Sequence, residues 1–231
     1  MQDKIEALFQ REPKLKDMLE FVFFEAVDAS KNEHLNFKEH FAWWAEFLQG
    51  RALSDAEFAC FTSHYKLWQE CARLNEEIII LEDDVEFSEN FNVLNLEKIQ
   101  GSKYEYVRLR YTFEKKFHAL DSNFYLSFKC ISGAQGYFLR PSAALKFIKT
   151  SKKFIKPVDD SMDISFKNKV LNVVFKPLLI TPQADIKSDI GVKRSFKIKP
   201  YKKILREIFR NYNKLRQALF ALSVKRRLNL D

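Results

Sequence analysis

The chain has 231 residues, 46% of them hydrophobic and 30% charged, which is typical of one globular domain or one domain with an appendage, and no run approaches the roughly 20 apolar residues of a membrane span. Only five residues are glycine, and neither a Walker motif nor a GxGxxG fingerprint occurs, which excludes most nucleotide-hydrolysing and dinucleotide-binding proteins. The 39 basic residues outnumber the 31 acidic ones, while three cysteines without metal-ligand spacing and the lack of a secretory signal indicate a cytoplasmic protein with reduced thiols.

The first part of the chain predicts a helix over residues 5–19, broken or kinked near Pro13, and then a short buried strand over residues 21–24. Apolar residues at helical spacing predict another helix within residues 37–50. We interpret some of its aromatic side chains as core packing.

The best-defined helix covers residues 54–74. Ser54 and Glu57 form a capping box, in which each side chain bonds the other residue's backbone amide. The apolar arc of this helix is broad, so the helix should lie against a sheet. His64 sits inside that arc, and it is either a satisfied core histidine or a functional residue.

Residues 77–81 read as a buried strand that runs directly into Glu82, Asp83 and Asp84. Adjacent carboxylates near a core repel one another and need compensation. A divalent cation with a bound diphosphate would supply it, since carboxylate oxygens suit Mg²⁺ or Mn²⁺. The alternative is a strand that ends in a solvated acidic turn.

The rest of the chain alternates strands and helices. Strands are predicted at residues 104–111, 125–131, 137–139 and 173–175, with a helix beginning at Pro141. A further element opens at residues 157–161, where Asp159 or Ser161 could cap a helix. This pattern predicts an α/β fold with a mostly parallel central sheet, whose ligands bind beyond the strand ends.

Basic residues dominate residues 193–227, where only Glu207 opposes them. We expect one or two amphipathic basic helices from about residue 195 to residue 228, and an anionic surface as the partner. The residues expected to share one apolar stripe are Ile204, Leu205, Ile208, Tyr212, Leu215, Leu219 and Leu222. The prediction is that this tail holds the protein on the inner face of a bacterial inner membrane; the alternative is packing on the main domain.

Several segments together resemble a known enzyme family. Residues 23–28 end in Ala26-Val27-Asp28, residues 80–85 carry the acidic cluster, and residues 133–139 precede Pro157-Val158-Asp159. Residues 53–68 match the family pattern at Leu53, Ser54, Glu57, Cys60, Ser63, His64, Leu67 and Trp68. The chain is thus similar to glycosyltransferase family 25, whose bacterial members build lipopolysaccharide or lipooligosaccharide outer cores. Ser188-Asp189-Ile190 also resembles a late family segment.

The resemblance implies a GT-A-like catalytic domain over residues 1–192, followed by the basic tail over residues 193–231. The family's usual first strand, of the type Val-Ile-Asn-Leu, is expected to be missing from this sequence. The implied reaction is inverting, metal-dependent transfer of a sugar, galactose from UDP-galactose being the first choice, to a lipid-linked core oligosaccharide. The implied cofactor is Mn²⁺ or Mg²⁺.

The resemblance also implies roles for particular residues. Glu82 and Asp84 would hold the metal ion, and Asp159, or else Asp160, would act as the general base, with helix capping as the alternative for both aspartates. The residues expected to bind substrate are His64, Asp28, Gln135 and Tyr137.

Three other functions would each explain part of the sequence. A catalytically inactive relative that serves as a scaffold is favoured by the missing first strand. A nucleic-acid-binding protein would explain the basic tail, but no recognised RNA- or DNA-binding module occurs, so no nucleic acid partner is expected. A glycosidase would also use two carboxylates, but three in a row at one strand end are more typical of a metal site.

Overall fold

A six-stranded sheet organises the residues that a computed structural model describes, which are 1–37, 42–152, 154–183 and 200–230. The strands are β1 Ile78–Leu81, β2 Val85–Phe87, β3 Tyr106–Arg108, β4 Phe117–Ala119, β5 Phe124–Ser127, β6 Gly136–Leu139, β7 Val173–Phe175 and β8 Ile180–Pro182. The order in the large sheet is β1-β6-β3-β7-β5-β4, and β2 pairs with β8 in a separate two-stranded sheet.

Helices surround this sheet. They are α1 Gln2–Arg11, α2 Leu15–Met18, α3 Ala42–Gln49, α4 Asp55–Leu74, α5 Val93–Gln100, α6 Pro141–Ser151, α7 Val158–Met162, α8 Ser165–Asn168 and α9 Pro200–Leu228, with a 3₁₀ turn at Glu33–Asn36. The α/β class is therefore confirmed. Within the described ranges, no helix is both long enough and apolar enough to span a bilayer.

The prediction of a mostly parallel sheet is wrong. Only β3 and β7 pair in parallel, while β1–β6, β6–β3, β7–β5 and β5–β4 are antiparallel. Short apolar strands look the same in either orientation, because side-chain alternation carries no information on strand direction. The one parallel pair is joined by the long crossover that such pairs require, and this crossover includes α6, α7 and α8.

Both faces of the large sheet are covered. On β6, Tyr137 and Leu139 face a core built mainly with α4 and α6, whose largest members include Trp68 and Phe147. Phe138 faces the opposite core, which also holds residues of α1 and α5. Alternation along one strand thus contributes to two cores, as expected of a sheet between helical layers.

Several local predictions are confirmed. The first helix breaks around Pro13, giving α1 and α2. At the start of α4, the Glu57 amide donates to Ser54 Oγ at 3.2 Å, and the Ser54 amide donates to Glu57 Oε2 at 2.9 Å, which completes the capping box. The strand before the acidic cluster is β1.

The strand predicted at residues 21–24 does not form. Val22 and Phe23 are 80% and 66% exposed, and the segment makes no strand pairing with the described residues. Strand propensity contributes little without a neighbouring edge to pair with. β1 is the outermost strand of the large sheet on its side, so one of its edges has no strand partner in the described part of the chain.

The basic tail forms one helix, α9, over its described part; residues 193–199 and the family-like Ser188-Asp189-Ile190 segment lie outside the described residues. Val224 is buried against the domain, and Gln217 Nε2 donates to the Phe128 carbonyl at 3.0 Å. Lys202 lies 3.6 Å from Glu46 of α3. One face of α9 is therefore packed on the main domain.

Candidate active site

A groove of about 2580 Å³ runs past the end of β1 and the free edge of that strand. Seven of the eight predicted site residues line it: Asp28, His64, Glu82, Asp84, Gln135, Asp159 and Asp160. The end of β1 and the start of α7 thus bring the two predicted carboxylate groups to one concave surface. Tyr137 is the exception, because its side chain is fully buried.

The acidic cluster is held in place by the loop that precedes β6. The Glu82 amide donates to the Gln135 carbonyl at 2.9 Å, and Gln135 Nε2 donates to Asp84 Oδ2 at 3.2 Å. The Gln183 amide donates to the Asp84 carbonyl at 2.8 Å. The other carboxylate oxygen, Asp84 Oδ1, is buried and has no hydrogen-bond partner among the described residues.

Burial raises the pKa of Asp84, and the charges of Glu82 and Asp83 raise it further. An ionised carboxylate with an unpartnered oxygen and two acidic neighbours is an unstable arrangement unless a cation compensates it. These carboxylate oxygens fit the donors that Mg²⁺ and Mn²⁺ prefer. Asp84 and Glu82 are therefore the residues that would hold such an ion.

Two basic residues partly compensate the acidic segment, and the sequence analysis missed both. Arg110 is half-buried in the groove; burial lowers the pKa of its guanidinium, and the charges of Asp84 and Glu82 oppose that shift. Lys4 of α1 donates to the Val85 carbonyl at 2.9 Å and lies 3.1 Å from Glu86. Arg110 is thus a groove cation within electrostatic range of both carboxylates.

His64 combines the two roles that the sequence left open. It is only 4% exposed, its Nδ1 lies 2.8 Å from the Tyr137 hydroxyl, and its Nε2 lies 3.2 Å from Glu82 Oε1. Trp68 Nε1 also donates to that hydroxyl, at 2.9 Å. Tyr137 therefore fixes the His64 ring from within the core and does not line the groove, while His64 orients Glu82.

Burial alone would lower the pKa of His64, but its contacts with Tyr137, Cys60 and Glu82 raise it well above the ordinary value. In the imidazolium form both ring nitrogens donate, one to Tyr137 and one to Glu82. The His64–Glu82 pair then forms a charge-assisted hydrogen bond at the floor of the groove.

Cys60 belongs to this site, although sequence reasoning did not select it. One ligand atom each from Cys60, His64 and Glu82 lie within 4.8 Å of one another, and no other group of three such residues occurs in the described ranges. A thiol and an imidazole suit a softer ion such as Zn²⁺ more than Mg²⁺. The spacing of Cys60 and His64, one helical turn apart, is the feature that could have revealed it.

Asp159 and Asp160 stand in the first turn of α7. Neither caps the helix, because Pro157 occupies the cap position and no side chain bonds there. Asp159 Oδ1 instead accepts from the Asp160 amide at 2.8 Å, and Asp160 Oδ1 accepts from Cys130 Sγ at 3.3 Å. Burial raises the pKa of Asp159, Asp160 raises it further, and Arg108 opposes the shift.

The sequence analysis also missed a buried ion pair at the C-terminal end of α7. Arg108 is fully buried in β3, and its Nη2 donates to Asp163 Oδ1 at 3.0 Å. Arg108 Nη1 also donates to the Ser132 carbonyl at 2.8 Å, and Asp163 Oδ2 accepts from the Ile131 and Ser132 amides at 3.0 and 2.9 Å. The pair ties the end of α7 to the loop that carries Gln135, so it positions both halves of the groove.

The Asp28 carboxylate accepts hydrogen bonds within a local turn. Its Oδ1 accepts from the Ser30 amide at 2.8 Å and from the Ser30 hydroxyl at 2.7 Å, and Lys31 lies 3.6 Å away. The Ser30 hydrogen bonds lower the pKa of this carboxyl. Asp28 therefore stands ionised on the groove wall.

The family model described as "Glycosyltransferase family 25 (LPS biosynthesis protein)" matches residues 2–162 of the chain. The chain belongs to glycosyltransferase family 25. The match includes the capping-box helix, the acidic cluster and both aspartates of α7.

Relatives within family 25 are distant. A glycosyltransferase 25 family member from Drosophila pseudoobscura pseudoobscura is 28% identical over 212 residues, covering 75% of this chain and 33% of that protein. Human procollagen galactosyltransferase 2 is 32% identical over 88 residues, covering 38% of the chain and 14% of the relative. Human inactive glycosyltransferase 25 family member 3 is 46% identical over 43 residues, which are 18% of the chain and 7% of the relative.

The chain spans at most about a third of the length of the curated relatives it matches. The family match therefore covers residues 2–162 of this chain, and the alignments cover only part of each relative. The relatives' remaining segments have no counterpart in these alignments.

Proposed function

We propose that this chain is a metal-dependent, inverting glycosyltransferase that moves a sugar from a nucleotide diphosphate donor to an oligosaccharide hydroxyl. UDP-galactose is the first choice of donor, since a galactosyltransferase is among the relatives. A lipopolysaccharide or lipooligosaccharide core is the first choice of acceptor, since the family description names lipopolysaccharide biosynthesis. The supporting observation is the buried, unpartnered Asp84 Oδ1 at the end of β1, inside a groove that also holds Asp159.

The donor end of the groove lies at the strand-end carboxylates. Glu82 and Asp84 would hold a divalent cation, which when bound neutralises the charge that develops on the leaving diphosphate. Arg110, half-buried beside these carboxylates, is placed to donate hydrogen bonds to phosphate oxygens. His64 keeps Glu82 oriented, and Gln135 does the same for Asp84 through its 3.2 Å contact.

The acceptor end lies at the start of α7. Asp159 would take the proton from the attacking hydroxyl, and Asp160 is the second candidate for this step. A raised pKa brings Asp159 closer to the operating pH, which suits a general base. Asp28, ionised on the groove wall, is available to accept hydrogen bonds from sugar hydroxyls.

The experiment is a transfer assay with purified full chain, UDP-galactose, Mn²⁺ and a core oligosaccharide released from lipooligosaccharide. Other UDP-sugars run in parallel, and NMR of the product reports the anomeric configuration. We expect UDP release that depends on acceptor and on Mn²⁺, with inversion at the anomeric carbon. Asp159→Asn should abolish it, while Asp17→Asn, a matched change on the exposed surface, should not.

A second candidate is a catalytically inactive relative that binds a sugar nucleotide or a partner protein. The observation in its favour is the 46% identity over 43 residues to a human relative named inactive. Calorimetric binding of UDP-sugars with Mn²⁺, without turnover of any donor tested, would support this candidate. Turnover of one donor would eliminate it.

A further inference from the structure

α9 carries a second apolar face that points away from the domain. The outer stripe, as we name it, consists of Tyr201, Ile204, Ile208, Tyr212, Leu215, Leu219 and Leu222. Each of these side chains is between 51% and 64% exposed. At 100° per residue they fall within an arc of about 80°, and they extend over about 32 Å of helix. Leu205, which sequence spacing assigned to this stripe, is half-buried instead.

The outer stripe is not the face through which α9 packs on its own domain. The opposite side of α9 already makes that contact through Val224, which is buried, and through Gln217. The Arg216 guanidinium lies 5.1 Å from the Phe166 ring centroid, which also ties the helix to α8. With its inner side packed, α9 presents the stripe on the outside of the molecule.

Charge selects the kind of surface that can cover this stripe. Over its 29 residues α9 has nine basic residues and a single acidic one, Glu207, which lies 2.6 Å from Arg210. Among the exposed basic residues, Arg226 lies within the arc of the stripe, and Arg216 and Arg227 lie within about 60° of its edge, whereas Lys203, Arg210 and Lys214 lie on the other side of the helix. At the C-terminal half of the stripe, an occupant must therefore accept apolar side chains and positive charges together.

A second copy of the chain meets only half of that requirement. Its own α9 would cover the apolar side chains but would bring the same excess of positive charge to the contact. A polynucleotide would neutralise the charges but would leave seven large apolar side chains in water. An anionic bilayer accepts the apolar stripe at the acyl boundary and the basic residues at the headgroups.

We propose that the outer stripe of α9 docks the protein, lying flat, on a lipid surface rich in anionic headgroups. The helix lies in the interface and does not cross the bilayer. The proposal goes beyond the proposed function, because the groove and α9 are separate surfaces and sugar transfer to a soluble acceptor does not require it. Docking would hold the protein on the same membrane as a lipid-linked acceptor.

The test uses full-length protein and flotation with two kinds of vesicle, phosphatidylcholine alone and phosphatidylcholine mixed with phosphatidylglycerol. We expect binding to the mixed vesicles that weakens as salt rises, and little binding to the neutral ones. The double variant Ile208→Glu with Leu215→Glu should lower the partition coefficient by about tenfold or more. The matched controls are Leu94→Glu on α5 and Leu145→Glu on α6, which are also exposed leucines, and both should bind like the parent.

A second pair of variants protects the test against misfolding of the first. Arg226→Gln with Arg227→Gln keeps the stripe and removes two exposed charges at its C-terminal end, so it should weaken binding to anionic vesicles while leaving the thermal midpoint unchanged. Failure of the parent to float with anionic vesicles would overturn the proposal. Stripe variants that bind vesicles as the parent does would also overturn it. If light scattering showed that those variants had lost a dimer formed by the parent, a second copy of the chain would be the occupant of the stripe.

Discussion

Asp84→Asn is the substitution that separates the metal-site interpretation from a solvated acidic turn. Asn keeps the side-chain shape and can still accept the hydrogen bond from Gln135, but it removes the charge that Glu82 and Asp83 oppose. We expect sugar transfer to be abolished without loss of stability. Asp83→Asn, which changes the exposed carboxylate next to it, is the matched control and should retain activity.

The size of the stability effect follows from the buried, unpartnered oxygen. An unsatisfied buried polar group costs about 1–3 kcal/mol when it is neutral and more when it is charged. Asn keeps a polar group at this position but removes the charge, so relief of about 1 kcal/mol should leave the metal-free midpoint unchanged or raise it by up to about 4 °C. The pKa of Asp84 is raised in the folded state, so its ionisation costs stability at neutral pH. The advantage of the variant should therefore disappear as the pH falls towards the ordinary aspartate value of 3.8.

The assay is differential scanning fluorimetry with and without Mn²⁺, combined with the transfer assay. At an ion concentration of about 100 Kd, binding to the folded state adds about 2.7 kcal/mol, which should raise the midpoint of the parent by about 5–11 °C. Asp84→Asn should lose most of that rise. Full transfer activity of this variant at saturating Mn²⁺ would refute the assignment of Asp84 as a metal ligand.

Three other substitutions test the remaining parts of the groove. Asp159→Asn should lower kcat by about 100-fold or more. Because the pKa of Asp159 is raised, the acid limb of the parent's kcat/KM profile should lie above pH 3.8. An acid limb at or below that value would contradict the general-base role. Arg110→Leu should raise the donor KM by about tenfold with a smaller change in kcat, since one phosphate contact is worth about 1.4 kcal/mol; steady-state kinetics that show an unchanged KM would exclude the contact. Asp163→Ala should cost about 3–5 kcal/mol in urea unfolding because it leaves Arg108 buried and uncompensated, and a loss below about 1 kcal/mol would show that the pair is not stabilising the loop.

The sequence was sufficient where the pattern is local. The capping box at Ser54 and Glu57 predicted the start of α4, and the apolar run before Glu82 predicted β1. Pro13 marked the break between α1 and α2. Each of these depends on neighbouring residues alone, so no knowledge of the tertiary fold was needed.

Strand direction and edge pairing could not be predicted from the sequence. The parallel sheet was predicted from the alternation of helices and strands, yet β6 inserts between β1 and β3 and pairs with both in the antiparallel sense. The segment at residues 21–24 has strand composition but finds no pairing edge in the described structure. Long-range pairing decides these features, and local propensity cannot report it.

The candidate site was predictable as far as it follows a motif. Glu82, Asp84 and Asp159 do line one groove. Arg110 and the Arg108–Asp163 pair were missed because their partners are distant in the chain. An arginine inside the apolar run at residues 106–109 was the one local indication, since a charged residue in a buried strand requires a partner.

The central claim is that a divalent cation and a nucleotide diphosphate bind at the carboxylates that follow β1. Crystals grown with UDP and Mn²⁺ would test it directly, through the anomalous scattering of manganese. We expect a manganese peak coordinated by Asp84 and Glu82, with diphosphate oxygens completing its ligands. A peak at Cys60 and His64 without Asp84, or UDP bound without any ion at Asp84, would contradict it.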